Sequence, residues 1–137
     1  MNRNKQTLPD RPAPARPHQS LRIALVGPCS SGKSMLADFL KPLGYAVRQP
    51  TQEHSGVPNM WQRISKPDLL IFLDVDYENT RRRRPHHDRG EDGLAAQQRK
   101  LAHARANCDF YIDTSGLTPV EIQNQVLAFL GENNMLL

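Results

Sequence analysis

The sequence predicts an α/β domain in which a short parallel sheet of about four strands carries helices on both faces. Short apolar segments alternate along the chain with segments of helical spacing, which is typical of strands joined by crossover helices. Two of the apolar segments, 21–26 and 69–73, are almost continuously apolar, as buried parallel strands are. The length of 137 residues corresponds to about one domain.

The first 20 residues are predicted to form a flexible tail. They contain four prolines, four basic residues and one acid, and they bury too little apolar surface to offset the entropy of ordering. The folded domain is therefore expected to span residues 21–137.

The predicted elements follow from apolar spacing and from the residues that end each segment. The first strand, 21–26, ends at a glycine, and a helix over 34–40 is closed by Lys41-Pro42 and Gly44. Thr118 and Glu121 form a capping box with a proline at the first helical position. A weak second strand is predicted at 45–48, and further strands are predicted at 69–74 and 110–112. A helical turn is predicted over 59–64, and helices over 77–84, 94–106 and 118–130.

The segment Gly27-Pro28-Cys29-Ser30-Ser31-Gly32-Lys33-Ser34 matches the Walker A pattern G-x-x-x-x-G-K-[ST] at every fixed position. A strand precedes it and a helix follows it, which is the context the motif requires. The glycines allow backbone amides to turn toward a phosphate chain, and the helix directs its positive end to the same place. Lys33 is expected to reach the β- and γ-phosphates, and Ser34 to ligate Mg²⁺. The predicted nucleotide-binding residues of this segment are Gly27, Ser30, Ser31, Gly32, Lys33, Ser34 and Met35.

The strand over 69–74 ends in an acid, as Walker B strands do. Asp74 is therefore the predicted carboxylate for the magnesium ion, and Asp76 is the rival candidate. Either acid could instead cap the helix that begins near Tyr77.

Together these segments resemble the small P-loop kinases of the shikimate kinase, adenylate kinase and nucleoside kinase type. The resemblance covers most of 21–137, and it includes an arginine-bearing segment after the third strand and a last strand with its following loop, 108–119. It implies the three-layer P-loop NTPase fold with strand order 2-1-3-4, ATP and Mg²⁺ as cofactors, and a small arginine-bearing lid at about 81–93. It also implies that Pro119 and an arginine of the run, taken as Arg81, flank the base. A guanine-reading N-K-x-D motif is absent, which favours ATP.

Four consecutive arginines occupy positions 81–84. Guanidinium groups that arrive on lid closure would stabilise the charge of phosphoryl transfer, and Arg84 is predicted to act in catalysis in this way. One or two of the four at most can face a site, because each is rotated about 100° from the last. A solvated basic face is the alternative. Nucleic-acid binding is not expected, because the run lacks interleaved aromatic residues.

The acceptor site is predicted from the resemblance, which places an acid after the second strand. Glu53 lies there as the predicted base or orienter of the accepting hydroxyl, with His54 as its rival. Trp61 and Arg63 are candidates for the wall and the anion clamp of the pocket. About twenty residues, 50–67, stand where such kinases commonly have another strand, so the acceptor region is expected to be reduced or missing.

Two functions of different class are consistent with these residues. The first is an ATP-dependent phosphotransferase acting on a small hydroxyl-bearing metabolite such as a nucleoside or nucleotide. The alternative is a nucleotide-binding switch or slow ATPase that engages a protein partner and has no small-molecule acceptor. With two cysteines, no apolar leader and no membrane-length apolar run, a cytoplasmic location is expected. The sequence does not indicate an oligomeric state.

Overall fold

The computed structural model describes residues 21–136, with the backbone alone at positions 64, 65 and 87. The predicted tail, 1–20, lies outside the described residues. Four strands form one parallel sheet in the order β2-β1-β3-β4. The strands are β1 (Arg22–Val26), β2 (Ala46–Arg48), β3 (Leu69–Asp74) and β4 (Phe110–Asp113). The predicted α/β class and the strand order 2-1-3-4 are confirmed.

Every crossover between consecutive strands passes through at least one helix, as parallel pairing requires. The helices are α1 (Lys33–Leu40), α2 (Met60–Ser65), α3 (Tyr77–Arg83), α4 (Gly90–Lys100), α5 (Ala102–Asn107) and α6 (Pro119–Glu132). Short 3₁₀ turns occupy Lys41–Leu43, Gln52–His54 and Pro85–His87. Among the described helices, none is long and apolar enough to cross a membrane.

Both faces of the sheet are covered. One face carries alternate strand residues such as Leu25 and Ile71, which pack against α1 and α6 in one apolar cluster. The opposite face carries Val26 and Phe72, which pack against Trp61 of α2 and against α5 in a second cluster. Because side chains of a strand alternate between faces, continuously apolar strands such as β3 are required for this two-sided burial.

The single helix predicted over 94–106 is two helices, α4 and α5, which meet at Leu101, and two helix ends also differ from the sequence prediction. Helix α4 begins at Gly90, four residues before the predicted start, because Asp88 accepts the Gly90 N–H at 2.7 Å and two acids occupy the first turn. Helix α6 has the predicted capping box but continues through Gly131. It ends before Asn134, which adopts the left-handed conformation with φ 58°.

Gly27 follows β1 at a point where the backbone of β3 is very close. A Cβ atom at this position would lie 2.0 Å from the carbonyl oxygen of Leu73. Gly27→Ala is therefore expected to lower the free energy of unfolding by an amount at the upper end of the roughly 1–3 kcal/mol that overpacking costs. Denaturant unfolding measures the effect. Gly56→Ala is the control, because a Cβ there meets nothing within 4 Å; equal losses in the two variants would contradict the prediction.

Candidate functional site

A cavity of about 610 Å³ lies over the loop that joins β1 to α1. This volume falls within the roughly 300–1,000 Å³ typical of small-molecule sites. Its walls come from the loop and the start of α1, from residues 49–53 after β2, from the end of α3, and from residues 117–123. The cavity therefore lies at the carboxyl ends of parallel strands, where open α/β sheets bind their ligands.

Eight of the twelve predicted site residues line this cavity. They are Ser30, Gly32, Lys33, Ser34, Met35, Glu53, Arg84 and Pro119. The other four, Gly27, Ser31, Asp74 and Arg81, are not among its lining residues. Gly27 and Ser31 are buried within the loop itself, so they shape the loop from behind.

The backbone of the loop presents a set of unpaired donors to the cavity. Ser30 and Gly32 adopt left-handed conformations, with φ 70° and 103°, and these turn successive peptide groups toward one side. Among the described residues, no protein acceptor takes the N–H groups of the five residues Ser30, Gly32, Lys33, Ser34 and Met35. The last three open α1, whose dipole places partial positive charge at the same point. Free donors and partial positive charge therefore meet at this end of the loop.

Lys33 is held beside these amides by two acceptors. Its Nζ donates to the carbonyl oxygen of Gly27 at 2.6 Å and to Oε2 of Glu53 at 2.6 Å. Glu53 is 5% exposed, and its other oxygen, Oε1, has no hydrogen-bond partner. The ion pair joins the loop to the 3₁₀ turn over Gln52–His54, and the predicted lysine and predicted base are thus brought together.

The two predicted metal ligands are not brought together. Ser34 lines the cavity and its hydroxyl donates to Oε1 of Gln49 at 3.2 Å. Asp74 instead accepts the Tyr111 hydroxyl at 2.7 Å and the Val75 N–H at 2.9 Å, outside the cavity lining. Burial, together with the bond to Asp74, raises the pKa of Tyr111 to about 12, so the hydroxyl remains a donor at neutral pH. Asp74 therefore links β3 to β4 in this structure.

Asp76, the rival metal ligand, caps α3. Its carboxylate accepts the Asn79 N–H at 2.8 Å, which lowers the pKa of Asp76 and satisfies one of the free donors of the first turn. This is the capping alternative that the sequence left open.

The four arginines of 81–84 point in different directions, as helical rotation requires. Arg81 is exposed and pairs with Glu78 on its own helix at 3.2 Å, so the structure does not bring it to the cavity. Arg82 donates to Asn79. The Arg84 side chain lines the cavity and makes no hydrogen bond to any described residue. It is therefore free to contact a ligand.

Arg83 is the arginine that the sequence analysis missed. Its guanidinium donates to the Ser30 carbonyl at 2.8 Å, to Oγ1 of Thr114 at 3.1 Å and to the Thr114 carbonyl at 2.6 Å. It thereby joins the loop after β1 to the segment after β4. Burial lowers the pKa of Arg83, but arginine stays charged at neutral pH because its reference value is so high.

Arg83→Ala is expected to reduce stability and ligand affinity together, because three hydrogen bonds that fix the loop are lost. Charge-assisted bonds of this kind contribute about 1.5–3 kcal/mol each at most, and neighbouring bonds of one side chain do not add fully. A drop in the unfolding free energy of about 2 kcal/mol, measured by denaturant unfolding, is the expected result. Arg82→Ala is the matched control, because Arg82 contacts α3 alone. Similar losses in both variants would contradict a specific role for Arg83.

Trp61 and Arg63, the predicted wall and anion clamp of the acceptor pocket, do not line the cavity. Trp61 is 3% exposed, packs on the second face of the sheet and donates its indole N–H to Nδ1 of His103 at 3.2 Å. Arg63 is exposed and is not among the residues that line the cavity. The buried side chain of Gln52 accepts the backbone N–H of Trp61 and donates to the Val57 carbonyl, and these bonds fix the 3₁₀ turn over Gln52–His54. A turn and a short helix thus occupy the stretch 50–67, and no strand forms there.

No protein-family model matches this chain, and no curated protein matches it. The functional interpretation therefore depends on the geometry of the cavity and on the chemistry of the residues that line it.

Proposed function

We propose that the protein is an ATP-binding P-loop phosphotransferase that acts on a small hydroxyl-bearing metabolite. The observation that carries the proposal is the group of five unpaired backbone amides beside Lys33 at the start of α1. A phosphate chain supplies many acceptor oxygens and negative charge in a row, and it matches these donors in both respects.

The rest of the cavity suits a nucleoside. Leu117, Pro119 and Ile122 give it an apolar wall. Apolar side chains pack on the faces of aromatic bases. Pro119 thus retains its proposed place beside the base. Arg81 does not line the cavity and Arg84 is kept for the transferring group, so no arginine is proposed beside the base.

The residues of the cavity fit a magnesium ion in part. Mg²⁺ prefers oxygen ligands and often keeps several waters while binding substrate phosphates, so a single protein hydroxyl can be sufficient to place it. Ser34 is that hydroxyl, whereas both oxygens of Asp74 are bonded elsewhere. When bound, Mg²⁺ would neutralise charge on the phosphates.

Glu53 is the carboxylate that would take the acceptor proton. Its buried Oε1 has no partner and can accept an O–H hydrogen bond from the acceptor. As that proton passes to Glu53, the acceptor oxygen forms a bond to the γ-phosphorus and the bond to the ADP oxygen breaks. Lys33 and Arg84 stabilise the charge on the transferring group.

A nucleotide-binding switch or slow ATPase is the second candidate. It is favoured by the positions of Trp61 and Arg63, neither of which lines the cavity, and by the absence of a further strand within the described stretch 50–67. A smaller cavity of about 90 Å³ beside Arg84 and Arg89 has less volume than a nucleoside needs. In this case the exposed arginines of α3 would serve as a docking surface for a protein.

Titration calorimetry with a series of nucleotides tests the phosphate-binding assignment. A nonhydrolysable ATP analogue, ADP, AMP and adenosine should bind with progressively lower affinity, because each removed phosphate leaves loop amides unpaired. Equal affinities across the series, or no heat with any member, would overturn the proposal. A metabolite panel with ADP release as the readout then separates the two candidates, since only the phosphotransferase is stimulated by an acceptor.

A further inference from the structure

Cys29, Glu53 and His54 form a cluster at the edge of the cavity. Each offers one metal-ligating atom, and these atoms all lie within 4.8 Å of one another. Sγ of Cys29 is 3.6 Å from Nε2 of His54, which in turn is 4.0 Å from Oε2 of Glu53. The thiol comes from the loop after β1 and the other two groups come from the 3₁₀ turn after β2, so the cluster connects two separate segments.

The distance between the sulfur of Cys29 and the nitrogen of His54 matches the distance between two ligand atoms of a tetrahedral zinc ion. Zinc bonds of about 2.3 Å to sulfur and about 2.0–2.1 Å to nitrogen, at a tetrahedral angle, place the two ligand atoms roughly 3.6 Å apart. That is the distance between Cys29 and His54. The corresponding nitrogen to oxygen edge is about 3.3 Å, whereas His54 lies 4.0 Å from Oε2, the oxygen that bonds Lys33. Metal binding by the carboxylate therefore requires a movement of the Glu53 side chain or of the exposed imidazole.

A second observation on this cluster concerns the other oxygen of Glu53. Oε1 of Glu53 is buried and has no hydrogen-bond partner, although the residue is only 5% exposed. Leaving a buried charged oxygen unsatisfied is costly, and a bound cation would satisfy it. Oε2 would keep its bond to Lys33.

The thiol is also held in place from behind. Gln97, which is buried, accepts the Cys29 N–H at 2.9 Å and donates its amide N–H to Sγ at 3.4 Å. A hydrogen bond donated to sulfur stabilises a thiolate, and outer partners of this kind orient metal ligands. Gln97 therefore fixes the position of the sulfur before any metal binds.

We propose that Cys29, His54 and Glu53 bind Zn²⁺ or a similarly soft divalent cation. Three protein ligands leave one coordination position open, and the thiol proton is released to solvent when the sulfur–metal bond forms. Thiolate and imidazole ligands disfavour Mg²⁺, so this cation differs from one bound with a nucleotide. Oε1 of Glu53 cannot hold this cation and accept the proton of an acceptor at the same time, so the metal-bound protein is not the transferring form. Metal binding itself can be measured without nucleotide or acceptor.

Titration of the nucleotide-free full chain with Zn²⁺ by calorimetry, and with Co²⁺ by absorption, tests the site. We expect one ion per chain and a sulfur-to-Co²⁺ charge-transfer band. Cys29→Ser should abolish the band and weaken Zn²⁺ binding by at least about 100-fold, more than loss of an outer partner usually costs. Cys108→Ser is the matched control and should change neither, because Cys108 lies at the end of α5.

His54→Ala provides the second variant, because the His54 side chain is 46% exposed and its removal is not expected to disturb folding. Unchanged Zn²⁺ affinity in this variant, or a charge-transfer band that persists in Cys29→Ser, would overturn the proposal. Lys33→Ala should bind Zn²⁺ more tightly, because a competing cation beside Glu53 is gone, while it binds nucleotides more weakly. Because the affinities for Zn²⁺ and for nucleotide are expected to change in opposite directions, this variant distinguishes failure of the metal site from failure of the nucleotide site.

Discussion

Lys33→Ala is expected to weaken binding of a nonhydrolysable ATP analogue by roughly 10- to 100-fold, measured by titration calorimetry. The amine lies beside five unpaired amides, and its side chain is only 12% exposed. A hydrogen bond from a charged donor in such a place contributes about 1.5–3 kcal/mol, because little water competes for it. Lys41→Ala is the control for loss of a surface charge, since Lys41 is exposed at the end of α1.

The same change removes the partner of a buried carboxylate, so stability must be measured separately. Loss of one member of a buried ion pair costs about 3–5 kcal/mol, because the other charge remains without compensation. The double variant Lys33→Ala/Glu53→Gln replaces that charge with a neutral amide and should recover most of the stability without recovering nucleotide affinity. A double variant that binds the nucleotide as tightly as the parent would contradict the assignment of Lys33.

The fold could be predicted because its determinants are contiguous in the sequence. The apolar run of β3 and the capping box of α6 each need only neighbouring residues to be recognised. The strand order was expected from the resemblance to the small P-loop kinases, and the sheet has that order. The missed boundaries have less regular local causes. Asp88 accepts the N–H of Gly90, on which α4 opens, and the left-handed residue after α6 is Asn134.

The residues of the candidate site also fall into those that could be predicted from neighbouring residues and those that could not. The loop residues could be predicted, because a motif of eight consecutive residues specifies them. The orientation of the arginine run could not, because it is set by Thr114 and Ser30, which are far from Arg83 in the sequence. Asp74 likewise finds its partner, Tyr111, on the neighbouring strand. Contacts between residues so far apart in the sequence cannot be recognised from the spacing of neighbouring residues.

Glu53→Gln is expected to reduce phosphoryl transfer by roughly 100-fold or more while leaving nucleotide affinity nearly unchanged, because general-base catalysis contributes about 10²–10⁴-fold. Glutamine has the same shape, and its amide oxygen can still accept from Lys33, so the ion pair becomes a hydrogen bond and the loop keeps its position. What the variant loses is a group that can take a proton at Oε1. Rates of ADP release with an acceptor from the metabolite panel measure the effect.

Glu91→Gln is the matched control, because Glu91 is an exposed acid in the first turn of α4 and is not among the cavity-lining residues. If Glu91→Gln and the parent share one rate and Glu53→Gln falls far below both, the buried carboxylate acts on the acceptor. If no acceptor stimulates ADP release and Glu53→Gln hydrolyses ATP at the parent rate, the protein is a nucleotide-binding module. In that case Glu53 serves only to hold Lys33. If Glu53 never receives a proton during the reaction, its replacement by glutamine leaves the rate of ATP hydrolysis unchanged.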